Sequence, residues 1–138
     1  MGAWYTIGLC LGLGLGLGVI LTGILGSTAL GASAAALIAT AAGATIGLLV
    51  GDAAETVAGG VAGFVGAVSA SAVVYGALRR GATRLGIAAY LGVAGAAICL
   101  LALIPVMGYV EAVAVPLLAA RMRTRQAARF AGLRTLAK

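Results

Sequence analysis

Histidine is absent from this 138-residue chain, and it carries only two cysteines, two prolines, one tryptophan and three acidic residues. Charged residues amount to 9%, against about 25% in a typical water-soluble domain, which argues against a soluble enzyme. Without imidazole, and with Cys10 and Cys99 far apart in apolar segments, the usual ligands of a transition metal are missing. No metal or cofactor is expected, and each cysteine reads as a small packing residue. There is also no phosphate-binding loop, no pair of catalytic carboxylates, and no nucleophile with a base beside it. The chain is therefore expected not to be an enzyme.

Hydrophobic residues make up 63%, and they gather in charge-free runs at 1–51, 56–78, 85–110 and 112–120. An ionised side chain at the centre of a bilayer costs roughly 2.5 to 3.5 kcal/mol on insertion scales, so such runs mark membrane segments. The first run reaches about 76 Å as helix, enough for two crossings of a core about 30 Å thick. Gly26-Ser27-Thr28 is its natural division. The expected spans are 4–25, with Trp4 and Tyr5 as interfacial anchors, then 29–50 and 57–78. The ends of the third are marked by Asp52 and Glu55 on one side and by Arg79, Arg80 and Arg84 on the other.

Residues 85–120 are too long for one crossing and slightly short for two, and Pro105 lies at their middle, where it favours a kink or a break. A turn near Pro105–Gly108 gives spans 85–104 and 106–120 and puts all nine positive charges on one face, as the positive-inside tendency favours. A single crossing puts Arg79–Arg84 and the tail on opposite faces. The sequence thus predicts an all-α integral membrane protein, a small polytopic bundle of four to five membrane segments followed by a basic tail, 121–138. With five segments the amino end, Asp52 and Glu55 lie outside and the carboxyl end inside. The first segment lacks the positive start of a secretory signal, so it is expected to stay as an uncleaved span. Short loops and a composition rich in Ala, Gly and Arg suit a bacterial inner membrane.

The formal charge of +6 flanks apolar runs and has no interleaved aromatics, so anionic lipid is the expected partner and nucleic acid is not. The candidate lipid contacts are Arg79, Arg80, Arg84, Arg121, Arg123, Arg125 and Arg129. Met122, Phe130, Leu133 and Ala137 share one face at helical spacing, which suits a helix lying on the inner leaflet; a disordered basic tail is the rival.

The 23 glycines concentrate inside the spans. Lipid tails supply no hydrophobic force between helices, so small residues that let backbones approach become the means of association. Gly8, Gly12 and Gly16 form one ridge, Gly14 and Gly18 a neighbouring one, and Gly59, Gly60, Gly63 and Gly66 a third. The first span is expected to pack on more than one side, and the surplus of small-residue surface points to a homo-oligomer. The alternation over residues 12–18 resembles the glycine-rich inner helix of rotary ATP synthase proteolipid subunits. That likeness implies close helix packing alone, because 29–50 contains no mid-span carboxylate.

Asp52 and Glu55 are placed to satisfy the free donors of a helix start; their alternative role is the mouth of a cation path. Glu111, flanked by apolar residues from Leu100 to Ala120, must pair with a cation, hold a proton or line a wet cavity. Arg80, Arg84 and Arg121 are its expected partners if the last segment turns back. It is the candidate ion or proton site.

Two functions follow. One is a structural or accessory, self-associating membrane component. The other is a small channel or carrier using Glu111 beside the Pro105 discontinuity.

Overall fold

The structure of the chain, a computed structural model, describes the backbone of residues 2–134 and the side chains of residues 2–122. It forms five helices: α1 (Ala3–Leu25), α2 (Ala29–Val50), α3 (Ala53–Leu78), α4 (Arg84–Leu101) and α5 (Met107–Arg134). No strand occurs among the described residues. Helices α1 to α4 are long and apolar enough to cross a membrane.

Local chemistry sets the helix ends. Thr28 caps α2 by accepting the Gly31 N–H at 3.0 Å, and Thr83 caps α4 by accepting that of Gly86 at 3.2 Å. Helix α3 starts at Ala53, four residues before the expected 57, because Glu55 reaches back to accept the Asp52 N–H at 3.1 Å and secures an earlier first turn. Between α3 and α4 the chain turns through Gly81 at φ +83°, a conformation that glycine adopts without steric cost.

The second half departs further from expectation. Helix α4 ends at Leu101 rather than 104, since a proline disfavours helical geometry in the residue before it. Residues 102–106 make the turn, and Val106 stands at φ +74° just before α5. Helix α5 then passes the expected boundary at 120 without interruption and continues to Arg134, with Pro116 inside it. Its backbone therefore does not divide into a membrane segment and a separate tail helix.

Glycine contacts fix the directions of the helices. A side chain at Gly14 would strike Gly59, and one at Gly18 would strike Gly63, so α1 and α3 run parallel. Gly59 meets Gly43 and Gly63 meets Ala39, which makes α2 antiparallel to α3. Gly16 abuts Gly95 and Cys99, while Gly23 abuts Leu91, so α4 descends along α1. Gly108 lies on Gly8 and Glu111 on Gly12, and Val115 packs against the cluster containing Val19, so α5 ascends along α1. The directions alternate through all five helices, and the turn at 102–106 is a hairpin.

Helix α1 is the hub, with Cys10 and Leu15 fully buried and glycines covered on several sides. The Gly8, Gly12 and Gly16 ridge faces the hairpin, while Gly14 and Gly18 face α3. The ridges therefore meet within one chain. Helices α2 and α4 are peripheral, exposing Leu30 and Leu49 on one and Leu85 and Val93 on the other. Large apolar residues outside and small ones inside is the arrangement expected when hydrocarbon surrounds the bundle.

Candidate functional site

The charges separate along the bundle axis. At the end formed by residues 2–6, 51–56 and 102–109 stand Asp52 and Glu55; at the opposite end stand the exposed Arg79, Arg80, Arg84 and Arg121. The expected lipid contacts Arg123, Arg125 and Arg129, and the face that includes Phe130 and Leu133, lie outside the described side chains.

Asp52 is exposed, but Glu55 turns inward from the first turn of α3 and is buried. Besides the Asp52 amide, its carboxylate accepts the Thr6 hydroxyl at 2.6 Å. That bond ties α3 to α1 and makes Glu55 a helix-start acceptor and an interhelical tie together. Thr6 has no sequence signal that marks it as a partner, since the pairing spans 49 positions.

Glu111 sits deeper, in the crook of the α4–α5 hairpin. Its residue exposure is 7%, and among the described residues neither carboxylate oxygen has a hydrogen-bond partner. The floor of the crook is Gly12: a Cβ there would lie 2.7 Å from Glu111 Oε2 and would also collide with Ala102. Gly12 is nine positions past Ala3 in α1, about 14 Å of helix, which is close to mid-depth in a core about 30 Å thick. Cys99, one turn before Ala102 on α4, lies against Gly16 one turn along α1 from Gly12, with its Sγ 3.9 Å from the Leu13 carbonyl oxygen.

The expected pairing of Glu111 with Arg80, Arg84 or Arg121 is not formed. The hairpin does turn back as that pairing required. However, α5 ascends from the acidic end, so Glu111 lies near its start, whereas Arg80 and Arg84 flank the far end and Arg121 follows ten positions later. Ten residues of helix separate groups by about 15 Å.

Two tyrosines fasten the hairpin. Tyr109 donates its hydroxyl to the Trp4 carbonyl at 2.6 Å, and Tyr5 donates to the Leu103 carbonyl at 3.1 Å. In the sequence Tyr5 reads as a headgroup anchor, and nothing local marks either tyrosine for a carbonyl about a hundred residues away. Among the hydroxyls of the spans, Thr40 and Thr45 bond back to their own helix, while Thr22, fully buried, crosses to the Ala67 carbonyl. Tyr75 and Tyr90 stand apart from the crook on the exposed faces of α3 and α4.

Comparison with known proteins adds no relative: no family profile, curated protein or solved structure matches the chain.

Proposed function

We propose that the chain is a structural or accessory membrane component that self-associates, with five membrane segments, its amino end outside and its arginines on anionic lipid at the inner face of a bacterial cell membrane. The observation that carries the structural reading is α1, enclosed by four partner helices through backbone contacts at its glycines, which leaves little room for a wide pore along the axis. The separation of the described arginines from Asp52 and Glu55 supports the orientation. Self-association has narrower support, because the glycine ridges are occupied inside the chain. A lipid-facing groove of about 410 Å³ between α2 and α3, lined by Ala32, Ser33, Ala36 and Phe64 among others, is one surface open to a second copy. Subunit counting by single-molecule photobleaching in lipid bilayers tests this: steps above one per particle are expected, and single steps throughout would remove self-association.

Glu111 favours a second reading, a small carrier or channel for an ion or proton. A buried, unpartnered carboxyl serves no packing purpose, and ionisable groups inside membrane segments commonly mark ion pathways. Purified protein in liposomes should then pass protons or cations, and Glu111→Gln should abolish the flux. Equal leakage from wild type, variant and empty vesicles would eliminate transport.

A further inference from the structure

We propose that the crook holding Glu111 is a proton-binding site that latches the α4–α5 hairpin onto α1. The acid form fits the dry crook; loss of the proton draws water in through the 102–106 turn and lifts the hairpin from Gly12. This deepens the reading of Glu111 as a proton site, but a latch requires no solute to cross the membrane.

Three independent observations converge on the crook. The first is the carboxyl itself, more than nine-tenths buried with both oxygens unpartnered and pressed on a glycine that alone leaves it space. An unpaired carboxylate in such a place is strongly disfavoured, so ionisation requires either a counter-charge or water. The second is the surroundings. On α1, Tyr5 is bonded to Leu103 and Cys10 is fully buried. On α3, Glu55 is engaged by Thr6 and Asp52, the latter exposed at the bundle end. On α4, Cys99 is the near titratable group, Tyr90 is exposed, and Arg84 stands at the far end; on α5, Tyr109 is bonded to Trp4 and Arg121 is ten positions on. Among the described residues none supplies a positive charge at the crook, which leaves hydration to meet the charge.

The third observation is that the hairpin is built to move. Helix α4 packs mainly on α1, α5 divides its packing between α1 and α3, and the two touch one another little. Their connection contains Val106 at positive φ, a strained conformation for a β-branched residue. Two tyrosine hydroxyl bonds hold the acidic end of the hairpin to α1.

Cys99 is a built-in reporter. The full chain in liposomes is treated with a small maleimide from about pH 5 to about pH 9, and modification of the Cys99 peptide is followed by mass spectrometry. Glu111→Gln at the same pH corrects for the intrinsic titration of the thiol. The expected result is a wild-type to variant ratio that climbs with pH, by at most about tenfold per pH unit, the limit for one proton. Gly12→Ala, which crowds the carboxyl, should raise Cys99 modification at low pH toward the wild-type level at high pH. A ratio that stays flat overturns the latch, provided that wild-type protein remains inserted, and so does a rise that depends on which alkali cation is present, since that makes the ligand a metal ion. The flux assay reads separately: no flux with a climbing ratio removes transport and leaves the latch standing.

Discussion

The α1–α2–α3 unit and the α4–α5 hairpin share one hub but are attached to it differently. In the first, glycine meets glycine along interhelical seams, Gly14 and Gly43 against Gly59 and Gly18 against Gly63, with Thr22 bonded across to Ala67 and Glu55 to Thr6. Every buried polar group named there has a partner. In the hairpin, the acidic end relies on two tyrosine hydroxyls, the turn carries a strained valine, and a carboxyl is buried with none. Close backbone approach occurs on both sides of the hub, since Gly16 meets Gly95 and Gly8 meets Gly108; the contrast lies in polar satisfaction, met for the groups named in the frame and lacking at Glu111 among the described residues.

Equal insults to the two regions should therefore have unequal effects. Gly14→Val puts a branched side chain into the Gly59 backbone, where neither helix can withdraw; a loss of about 3 kcal/mol or more is expected. Unfolding in mixed detergent micelles, followed through Trp4, measures it. Gly108→Val makes a similar clash with the Gly8 backbone, yet the hairpin can lift, so the expected loss is about 1 to 2 kcal/mol. Equal losses would break the comparison.

Smaller changes sharpen it. Glu111→Leu, similar in volume and free of unpartnered oxygens, should stabilise the fold by about 1 kcal/mol; a marked destabilisation would mean that the carboxyl has a partner in the membrane. Val106→Gly should relieve the turn by somewhat less than 1 kcal/mol, because the gain from a left-handed conformation is offset by lost contact area. The same unfolding titration reads both.

Much of the frame was legible in the sequence because helix length and glycine spacing are local properties. The division at Gly26-Ser27-Thr28, the first two spans and the two neighbouring ridges of α1 all follow from counting residues. Boundaries moved where a side chain acted on the backbone: Glu55 drew the start of α3 forward and Pro105 ended α4 early. Glu111 stood out as an isolated acid, but its surroundings did not, since they depend on the direction in which α5 leaves its turn. The expected arginine partners failed for that reason.

Composition and spacing by themselves determined that this chain is helical, suited to hydrocarbon, and joined through small residues, because each of these is a sum over neighbours in sequence. Tertiary structure alone decided that the glycine ridges meet within one chain, that Tyr5 and Tyr109 hold the hairpin, and that Gly12 rather than an arginine faces Glu111. The tyrosine and Glu111 pairings join positions about a hundred residues apart, and only the alternating directions of five helices bring them to the same depth.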